Sequence, residues 1–588
     1  MKQFFKYVLA TVVGIILTSF LSLIFFIFII SAFVSSINKN ESVMVEDKSI
    51  LYVDLNQPII ERSLDNHFDL DYLMGVEADK IGFFDLINGI KKAETDDRIK
   101  GIYINVSAPQ SGMATMKEVR QALIEFKKSG KPIIAYSEVY SQGAYYLASV
   151  ANKVYLNPQG DLEFKGLNSE VMFFKGALDK IGVEMQILRV GDFKSAVEPY
   201  TNTKMSEPNR LQVSQMVNGI YDEIIKEIGS SRNISTDSLK SIANQYKIQQ
   251  PEDALKYKMV DALKYKDEVL EELNTITNTK KNKNFPIVSI NDYIKNKVET
   301  DISNKNKVAV IYANGEITGG EGDDATIGSE RISRAIRKAR IDSTIKAIVL
   351  RVNSPGGSAL ASEVIWREVS LTKKVKPVIA SFGDVAASGG YYIAAGADSI
   401  LVQPNTITGS IGVFGIIPNA QKLLNDKIGI TFDNEKTGQF ADIMSLTRPM
   451  TPGERFILQN GINRVYNVFI NRVSTGRTRS KEYIETIASG RVWTGKDAVR
   501  IGLADREAGF KEAIESAARK ANIKNYRLVE YPEKLDPIKA LLNNSKNNIQ
   551  TYFLQRELGN EYSIYKKIKE ASQRSGIQTH MMFVPVIY

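Results

Sequence analysis

Hydrophobic and polar positions form two contrasting patterns along this chain, and the first is a long uncharged run. No charged residue occurs from Tyr7 to Val34, and at about 1.5 Å per residue such a helix can cross a bilayer core with some tilt. Lys2 and Lys6 precede the run, so the positive-inside rule places the N-terminus in the cytoplasm and the body outside it. A cleaved signal peptide is the alternative, because SAFVSS offers small residues for cleavage. Both interpretations predict an exported body.

The second pattern covers the rest of the chain, where short apolar runs alternate with segments of helical spacing. KAIVLRV (346–352) and PVIASF (377–382) are typical of short buried strands. ALASEVIWREVSL (359–371) has the spacing of a helix with one buried face. Alternation of strands and helices predicts an α/β fold with mainly parallel pairing.

Long segments of this pattern occur twice. IKGIYINVSAP from Ile99 resembles IKAIVLRVNSP from Ile345, and KPIIAYSEVYSQGAYYLAS from Lys131 resembles KPVIASFGDVAASGGYYIAA from Lys376. Two further pairs keep the same order, LDKIGVEMQILRVGDFKSA with NDKIGITFDNEKTGQFADI and EDALKYKMVD with KDAVRIGLAD. Their separation drifts only from about 246 to about 244 positions, which predicts two homologous tandem domains.

The repeats and the changes of composition between them give the expected domain boundaries. TITNTKKNKNFP (275–286) is polar and basic without an apolar period, which is typical of a linker. The chain ends with the apolar MMFVPVIY, which we interpret as a docking segment. In order, we expect a cytoplasmic N-terminus, transmembrane anchor and stalk over 1–47, the first repeat over 48–280, a linker over 281–304, the second repeat over 305–530, and a C-terminal extension over 531–588.

Composition agrees with a globular protein of more than one domain. The 588 residues are too many for one ordinary core, and 43% of them are hydrophobic and 24% charged. The net charge of +9 is spread among acidic residues without a basic block. This favours a solvated basic surface, so we expect no nucleic-acid partner.

Two scarce residue types narrow the chemistry further. The chain has no cysteine, which excludes a thiol nucleophile, a disulfide framework and thiolate metal sites. A Ser-His-Asp triad would need His67 or His580, and neither lies in a motif of that kind. No HExxH pair is present either. We therefore expect no metal or cofactor, and a hydrolase would need another base.

A serine and two glycines lie at strand-to-helix turns of the second repeat. Ser388 follows the strand VIASF and precedes a helical segment, whereas the first repeat has Gln142 at that position. Such a turn exposes a hydroxyl beside free helix N–H groups, although Ser-Gly-Gly is also ordinary turn chemistry. Gly356 and Gly357 in NSPGGSALASEV could present N–H groups to an oxyanion, or form a tight turn.

The repeats differ in a complementary way at a second position. Lys194 in GDFKSAVEP corresponds to Ala441 in TGQFADIMS. The first repeat thus has a lysine and lacks the serine, while the second has the serine and lacks the lysine. If the repeats pack together, one complete site could form from both. A lysine can activate a serine when desolvation lowers its pKa from about 10.4 toward about 7–8.

The anchor, the tandem units, GDFKSAVEP, DVAASGGYYIA and GSIGVFG together resemble the signal peptide peptidase A family, in its long form. This resemblance implies two crotonase/Clp-protease-like domains and a Ser/Lys dyad, with Ser388 as nucleophile and Lys194 as general base. Ser410 matches the family's serine that hydrogen-bonds the lysine. The N–H groups of Gly356, Gly357 and Gly389 are the implied oxyanion donors.

The resemblance also implies a location and partners. Members are homo-tetramers at the outer face of the cytoplasmic membrane, and they cut signal peptides that remain in the bilayer. Peptides and the membrane are therefore the expected partners, and no cofactor is expected. Two alternatives stay open from the sequence: a crotonase-like acyl-CoA enzyme, and a non-catalytic membrane scaffold of the same fold.

Overall fold

The strand–helix alternation folds into an α/β structure with one mainly parallel sheet in each repeat. It is a computed structural model that describes residues 2–37, 44–63, 80–279, 285–295, 304–534 and 577–581. Most of the predicted stalk, most of the C-terminal extension and His67 lie outside these residues. The apolar end of the chain after Met581 also lies outside them.

The first repeat is built around a sheet whose six described strands are all parallel. The strands up to residue 295 are β1 (Ser49–Asp54), β2 (Ile59–Ile60), β3 (Ile81–Gly82), β4 (Ile99–Asn105), β5 (Ile133–Tyr140), β6 (Lys153–Leu162), β7 (Glu184–Val190), β8 (Ala262–Leu263) and β9 (Ile287–Ser289). The helices are α1 (Lys2–Ile37), α2 (Phe83–Thr95), α3 (Met113–Lys127), α4 (Gln142–Ala148), α5 (Lys175–Ile181), α6 (Glu198–Thr201), α7 (Glu207–Arg232), α8 (Thr236–Asn244), α9 (Pro251–Lys256), α10 (Lys266–Ile276) and α11 (Ile290–Lys295). The sheet order is β8-β6-β5-β4-β1-β9.

The second repeat has the same plan. Its strands are β10 (Lys307–Asn314), β11 (Glu316–Thr318), β12 (Thr326–Gly328), β13 (Ile345–Ser354), β14 (Gly356–Ser358), β15 (Val378–Ala387), β16 (Ser399–Val402), β17 (Ile407–Gly409), β18 (Val413–Asn419), β19 (Val492–Thr494), β20 (Arg506–Glu507) and β21 (Arg527–Tyr531), and β22 (Ile577–His580) follows. The helices are α12 (Ser329–Ile341), α13 (Ala359–Lys373), α14 (Gly389–Ala394), α15 (Pro452–Arg477), α16 (Lys481–Ile487), α17 (Gly495–Arg500) and α18 (Phe510–Lys520). The main order is β19-β17-β15-β13-β10-β21, and β16 and β20 extend from β15.

Equivalent buried hydrogen bonds confirm the duplication that the sequence predicts. The Tyr145 hydroxyl donates to the Met259 carbonyl at 2.7 Å, and the Tyr391 hydroxyl donates to the Leu503 carbonyl at the same distance. Each bond ties the short helix after the third sheet strand to a distant turn of its own repeat. Buried tyrosines need such partners, so the repeated bond reports a repeated core.

A third sheet joins the two repeats. Its order is β12-β11-β14-β22-β18-β7, with β7 from the first repeat and β18 from the second. They pair antiparallel from Val190 opposite Val413 to Glu184 opposite Asn419. This pairing places the segment that follows β7 against the second repeat.

A buried ion network also crosses between the repeats. Arg351 on β13 donates to Glu61 at 2.8 Å and lies 3.4 Å from Glu118. All three side chains are buried. A buried guanidinium is tolerated when carboxylates pair with it, and losing one partner is costly. The network therefore favours one fixed arrangement of the two repeats.

The predicted anchor and linker have a partial description. α1 spans Lys2–Ile37, and large apolar side chains on it such as Leu17 and Phe20 are exposed. Across the part of the chain that the structure describes, no helix is long and apolar enough to cross a membrane. Within the predicted linker, Ile287–Ser289 pair with β1 of the first sheet. The anchor and the domain boundaries stay predictions.

Candidate active site

Ser388 sits at a strained turn between β15 and α14. Its φ of 54° and ψ of −114° lie in a region that non-glycine residues rarely occupy. The turn is held because the Ser388 N–H donates to the Gly409 carbonyl at 2.8 Å. Gly390 next in the helix admits no side chain, since a Cβ there would lie 2.6 Å from the Ser354 carbonyl oxygen. Contacts with two other segments of the second repeat thus hold the backbone that carries the Ser388 hydroxyl.

Lys194 reaches this hydroxyl from the other repeat. It lies just after β7, and its Nζ is 2.9 Å from the Ser388 Oγ. Ser410 provides two more acceptors for Nζ, its Oγ and its carbonyl oxygen, each at 3.0 Å. The structure therefore brings Lys194, Ser388 and Ser410 together, as the predicted site requires.

Burial without a charged partner determines the electrostatics of Lys194. The side chain is 1% exposed, and its hydrogen-bond acceptors are hydroxyl and carbonyl oxygens. Desolvation alone lowers the pKa of Lys194 from 10.5 to about 7. At neutral pH a substantial fraction of this lysine is uncharged and can accept a proton.

Ser410 and Gly490 shape the lysine pocket from the second repeat. Ser410 has a φ of 50° and donates its N–H to the Arg491 carbonyl at 2.7 Å. Gly490 packs on the lysine so closely that a Cβ there would lie 2.6 Å from the Lys194 Cβ. The sequence analysis missed Gly490, because its partner is nearly 300 positions away and no local motif marks it.

The predicted oxyanion glycines converge on the same turn. A side chain at Gly356 could not fit, since a Cβ there would lie 2.7 Å from the Gly389 nitrogen. Gly389 begins α14, where the first N–H groups have no intrahelical acceptor. At Gly357 a Cβ would lie 2.1 Å from the Ile317 carbonyl oxygen. Close packing is therefore a sufficient reason for a glycine at this position. The Gly356 N–H donates to Ser354 Oγ at 3.2 Å. The oxyanion roles stay predictions.

A strand from the C-terminal extension covers these glycines. β22 pairs antiparallel with β14, with Gly357 opposite Thr579, and on its other side with β18. The Met581 N–H donates to the Pro355 carbonyl at 2.7 Å. Thr579 is fully buried. The apolar end of the sequence suggested docking, but not that the strand before it would dock at the glycines.

A small apolar cavity of about 30 Å³ adjoins Lys194. Such a volume is enough for about one water molecule. Helix α7 forms one wall of the cavity, and Met581 forms part of another. The apolar side chains that line it are Phe193, Ala196, Val213, Met216, Val492 and Met581.

The corresponding position of the first repeat has no dyad. Gln142 occupies the place of Ser388, and its Oε1 accepts from the N–H groups of Lys165 and Gly166 at 3.2 and 2.9 Å. Ala441, the counterpart of Lys194, is exposed. Only the second repeat's turn therefore combines a serine with a buried lysine among the described residues.

Comparisons with known proteins agree with a peptidase. The model of peptidase family S49 matches residues 125–280 and 370–524. Protease 4 of Salmonella typhi is 36% identical over 508 residues, covering 83% of this chain and 81% of the relative. The chloroplastic serine protease SPPA of Arabidopsis thaliana is 31% identical over 502 residues, covering 83% of this chain and 72% of the relative.

These matches define a serine peptidase with two repeats. The chain belongs to peptidase family S49, and the resemblance to signal peptide peptidase A is confirmed. Among solved structures, a mutant of ClpP1 from Listeria monocytogenes aligns with a TM-score of 0.24 at 15% identity, covering 35% of this chain and 94% of that one. That score is too low to argue from, so the Clp/crotonase-like assignment stays a prediction.

Proposed function

We propose that this chain is a membrane-anchored endopeptidase that degrades signal peptides with a Ser388/Lys194 dyad. The observation that carries the proposal is the 2.9 Å contact between Nζ and Oγ in a pocket that offers the lysine no negative charge. A protonated lysine would be poorly stabilised there. The pair is thus suited to proton transfer from serine to lysine.

The proposed reaction uses only groups of this chain. Uncharged Lys194 takes the proton of Ser388, whose Oγ forms a bond to the carbonyl carbon of the scissile peptide. The N–H group of Gly389, at the start of α14, stabilises the oxyanion. The lysine then gives its proton to the departing amine as the C–N bond breaks. Water, deprotonated by Lys194, then attacks the resulting ester, and the lysine returns this proton to the Ser388 Oγ as the ester C–O bond breaks. Ser410 holds Nζ in position throughout.

An extended peptide is the substrate form that we infer from the strand pairing at β14. β22 lies as an antiparallel strand on β14, and its Thr579 lies close to Gly389, the residue after Ser388. This edge of β14 therefore accepts main-chain hydrogen bonds from a strand. A substrate would occupy this place when the tail leaves it. The apolar wall near Lys194 favours small or aliphatic side chains, which suits the apolar cores of signal peptides.

Membrane attachment and assembly belong to the proposal as well. The uncharged run from Tyr7 to Val34, with Lys2 and Lys6 before it, supports a single anchor with the body on the outer side of the cytoplasmic membrane. A putative signal peptide peptidase SppA of Enterococcus faecium is 32% identical over 44% of this chain, which supports the substrate class. The homo-tetramer rests on the family resemblance.

Digestion of a synthetic signal peptide by the purified full chain tests the proposal. We expect mass spectrometry to detect internal fragments with the wild type, and none with Lys194→Ala or Ser388→Ala. Lys204→Ala is the matched control, because Lys204 is exposed. We expect this variant to cleave the peptide as the wild type does. Undiminished cleavage by either site variant would exclude the dyad.

A further inference from the structure

A second, larger cavity lies at the first repeat's counterpart of the active-site turn. Its volume is about 380 Å³, within the range of pockets that bind small ligands. Gln142 at the start of α4 lines it in the place that Ser388 has in the second repeat. Ser111 lines it in the place of Gly357. We call this space the first-repeat cavity.

Buried polar atoms without partners line the first-repeat cavity. Among the described residues, Ser111 Oγ, Gln142 Nε2 and both amide atoms of Asn405 have no hydrogen-bond partner. Asn405 is 2% exposed and Gln142 is 6% exposed. Buried polar groups are nearly always hydrogen-bonded in folded proteins. A cavity with free donors and a free acceptor on its wall therefore indicates a ligand with both kinds of group.

The rest of the lining restricts that ligand to an uncharged one with apolar parts. The charged lining groups are already engaged: Asp384 accepts from the Thr115 N–H at 2.9 Å and from its hydroxyl at 2.6 Å, and Lys165 pairs with Glu163 at 2.5 Å. The remaining wall is largely apolar, including Met113, Met116, Leu167, Ile220 and Ile224. A peptide amide with aliphatic side chains meets both requirements.

Three elements connect the cavity to the active site. β15 lines the cavity with Val385 and ends at Ala387, one residue before Ser388, which lies about 10 Å from Val385 at the usual rise of a strand. β17 contributes Ile407 to the cavity, three residues before Ser410. Helix α7 lines the lysine pocket with Met216 and, one turn on, the cavity with Ile220.

We propose that the first-repeat cavity is a non-catalytic subsite for the peptide substrate, an inference that rests on the proposed peptidase function. An uncharged apolar stretch of the peptide, remote from the scissile bond, enters it. Its backbone C=O accepts from the free amide N–H groups of Asn405 or Gln142, and its N–H donates to the Asn405 Oδ1. In this proposal the turn of the first repeat, with Gln142 in place of a serine, binds the peptide but does not cleave it.

Gly143 offers a matched pair of variants to test the subsite. A Cβ at Gly143 would have Pro109 Cγ at 3.5 Å and Met116 Cε at 3.7 Å, which are ordinary contacts. Gly143→Ala therefore fits, while Gly143→Leu fills part of the cavity. Both replacements suit a helix better than glycine. Ser111→Leu is a second filling variant, since its hydroxyl has no partner among the described residues.

The assay compares a three-residue and a nine-residue quenched fluorescent peptide of Ala, Val and Leu, cleaved by the full chain. We expect Gly143→Leu and Ser111→Leu to raise KM for the longer peptide about tenfold with kcat unchanged, the loss typical of one apolar pocket contact. With these two filling variants, KM for the short peptide should stay at the wild-type value. With Gly143→Ala, KM for both peptides should stay at the wild-type values. Equal KM values for all variants would overturn the subsite.

Failure of the subsite and failure of the proposed function give different results. If the wild type cleaves neither peptide, the peptidase proposal fails. The subsite is then tested by fluorescence anisotropy, by titrating the labelled nine-residue peptide with Ser388→Ala chains that carry or lack Gly143→Leu. About tenfold weaker binding with Gly143→Leu supports the subsite, and equal binding overturns it. Circular dichroism melting confirms that each variant is folded.

Discussion

The Nζ of Lys194 lies 2.9 Å from the Oγ of Ser388, although the two residues are 194 positions apart and belong to different repeats. Pairing of β7 with β18 produces this contact. A serine–lysine pair assembled across a duplication depends on the fixed packing of the two repeats. The contact therefore links stability of the interface to activity.

Replacing Lys194 by methionine should separate catalysis from folding. The two side chains are similar in length, and methionine removes a buried amine that gains no ion pair in the fold. We expect kcat/KM for peptide cleavage to fall by about 10³-fold or more. The midpoint of urea unfolding should stay equal or rise. A lower midpoint would mean that the lysine stabilises the fold.

Activity should depend on the ionisation of Lys194. Since its pKa is lowered to about 7, the uncharged base is the minor form below that pH and the main form above it. We expect kcat/KM to rise with pH and level off above about pH 8. Cleavage rates measured from pH 5 to 9 provide the test. A profile that is flat across pH 7 would contradict a lysine base.

Stability should also change with pH because of this lysine. Its folded pKa of about 7 lies below the unfolded value of 10.5, so between these values the unfolded chain binds more protons than the folded one. The free energy of unfolding contributed by Lys194 therefore rises from pH 7 to 10.5, and the penalty is complete below pH 7. We expect the free energy of unfolding, measured with urea at several pH values, to rise more steeply with pH for the wild type than for Lys194→Met over this window. Parallel slopes would mean that the lysine is charged in the fold.

Ser410→Ala should weaken the site without abolishing it. The variant removes one of the two Ser410 acceptors for Nζ and leaves the carbonyl at 3.0 Å. We expect kcat/KM to fall about 10-fold to 100-fold, since one positioning hydrogen bond is lost. The pH profile of kcat/KM should also shift. An unchanged rate and profile would leave Ser410 without a positioning role.

Displacing the tail strand should increase peptide cleavage. β22 lies on β14 with Thr579 close to Gly389, the residue after Ser388, and a tethered strand competes at a high effective concentration with free peptide. Thr579→Pro removes a backbone N–H from this strand, and we expect KM to fall several-fold with kcat unchanged. Gln578→Ala, which keeps the backbone donors, is the matched control. If Thr579→Pro leaves KM unaltered, the tail does not compete with substrate.

Much of the fold and part of the site followed from the sequence because their signals are local or repeated. Strand and helix periods predicted the α/β class, and the recurring segments predicted two repeats. Ser388 and Lys194 emerged because each repeat lacks what the other keeps, a comparison that needs no contact information. The glycines after Ser388 marked the turn, since only residues without a Cβ can pack there.

The tertiary structure alone decided how these parts meet. Pairing of β7 with β18 across the repeats, the contact of Gly490 with Lys194, the position of β22 and the first-repeat cavity all depend on residues far apart in sequence. Periodicity reports which face of an element is buried, but not which distant element covers it. The sequence determined the repeats and the candidate serine and lysine. Packing decided that the lysine is buried without a charge partner, and desolvation is what gives it a pKa of about 7.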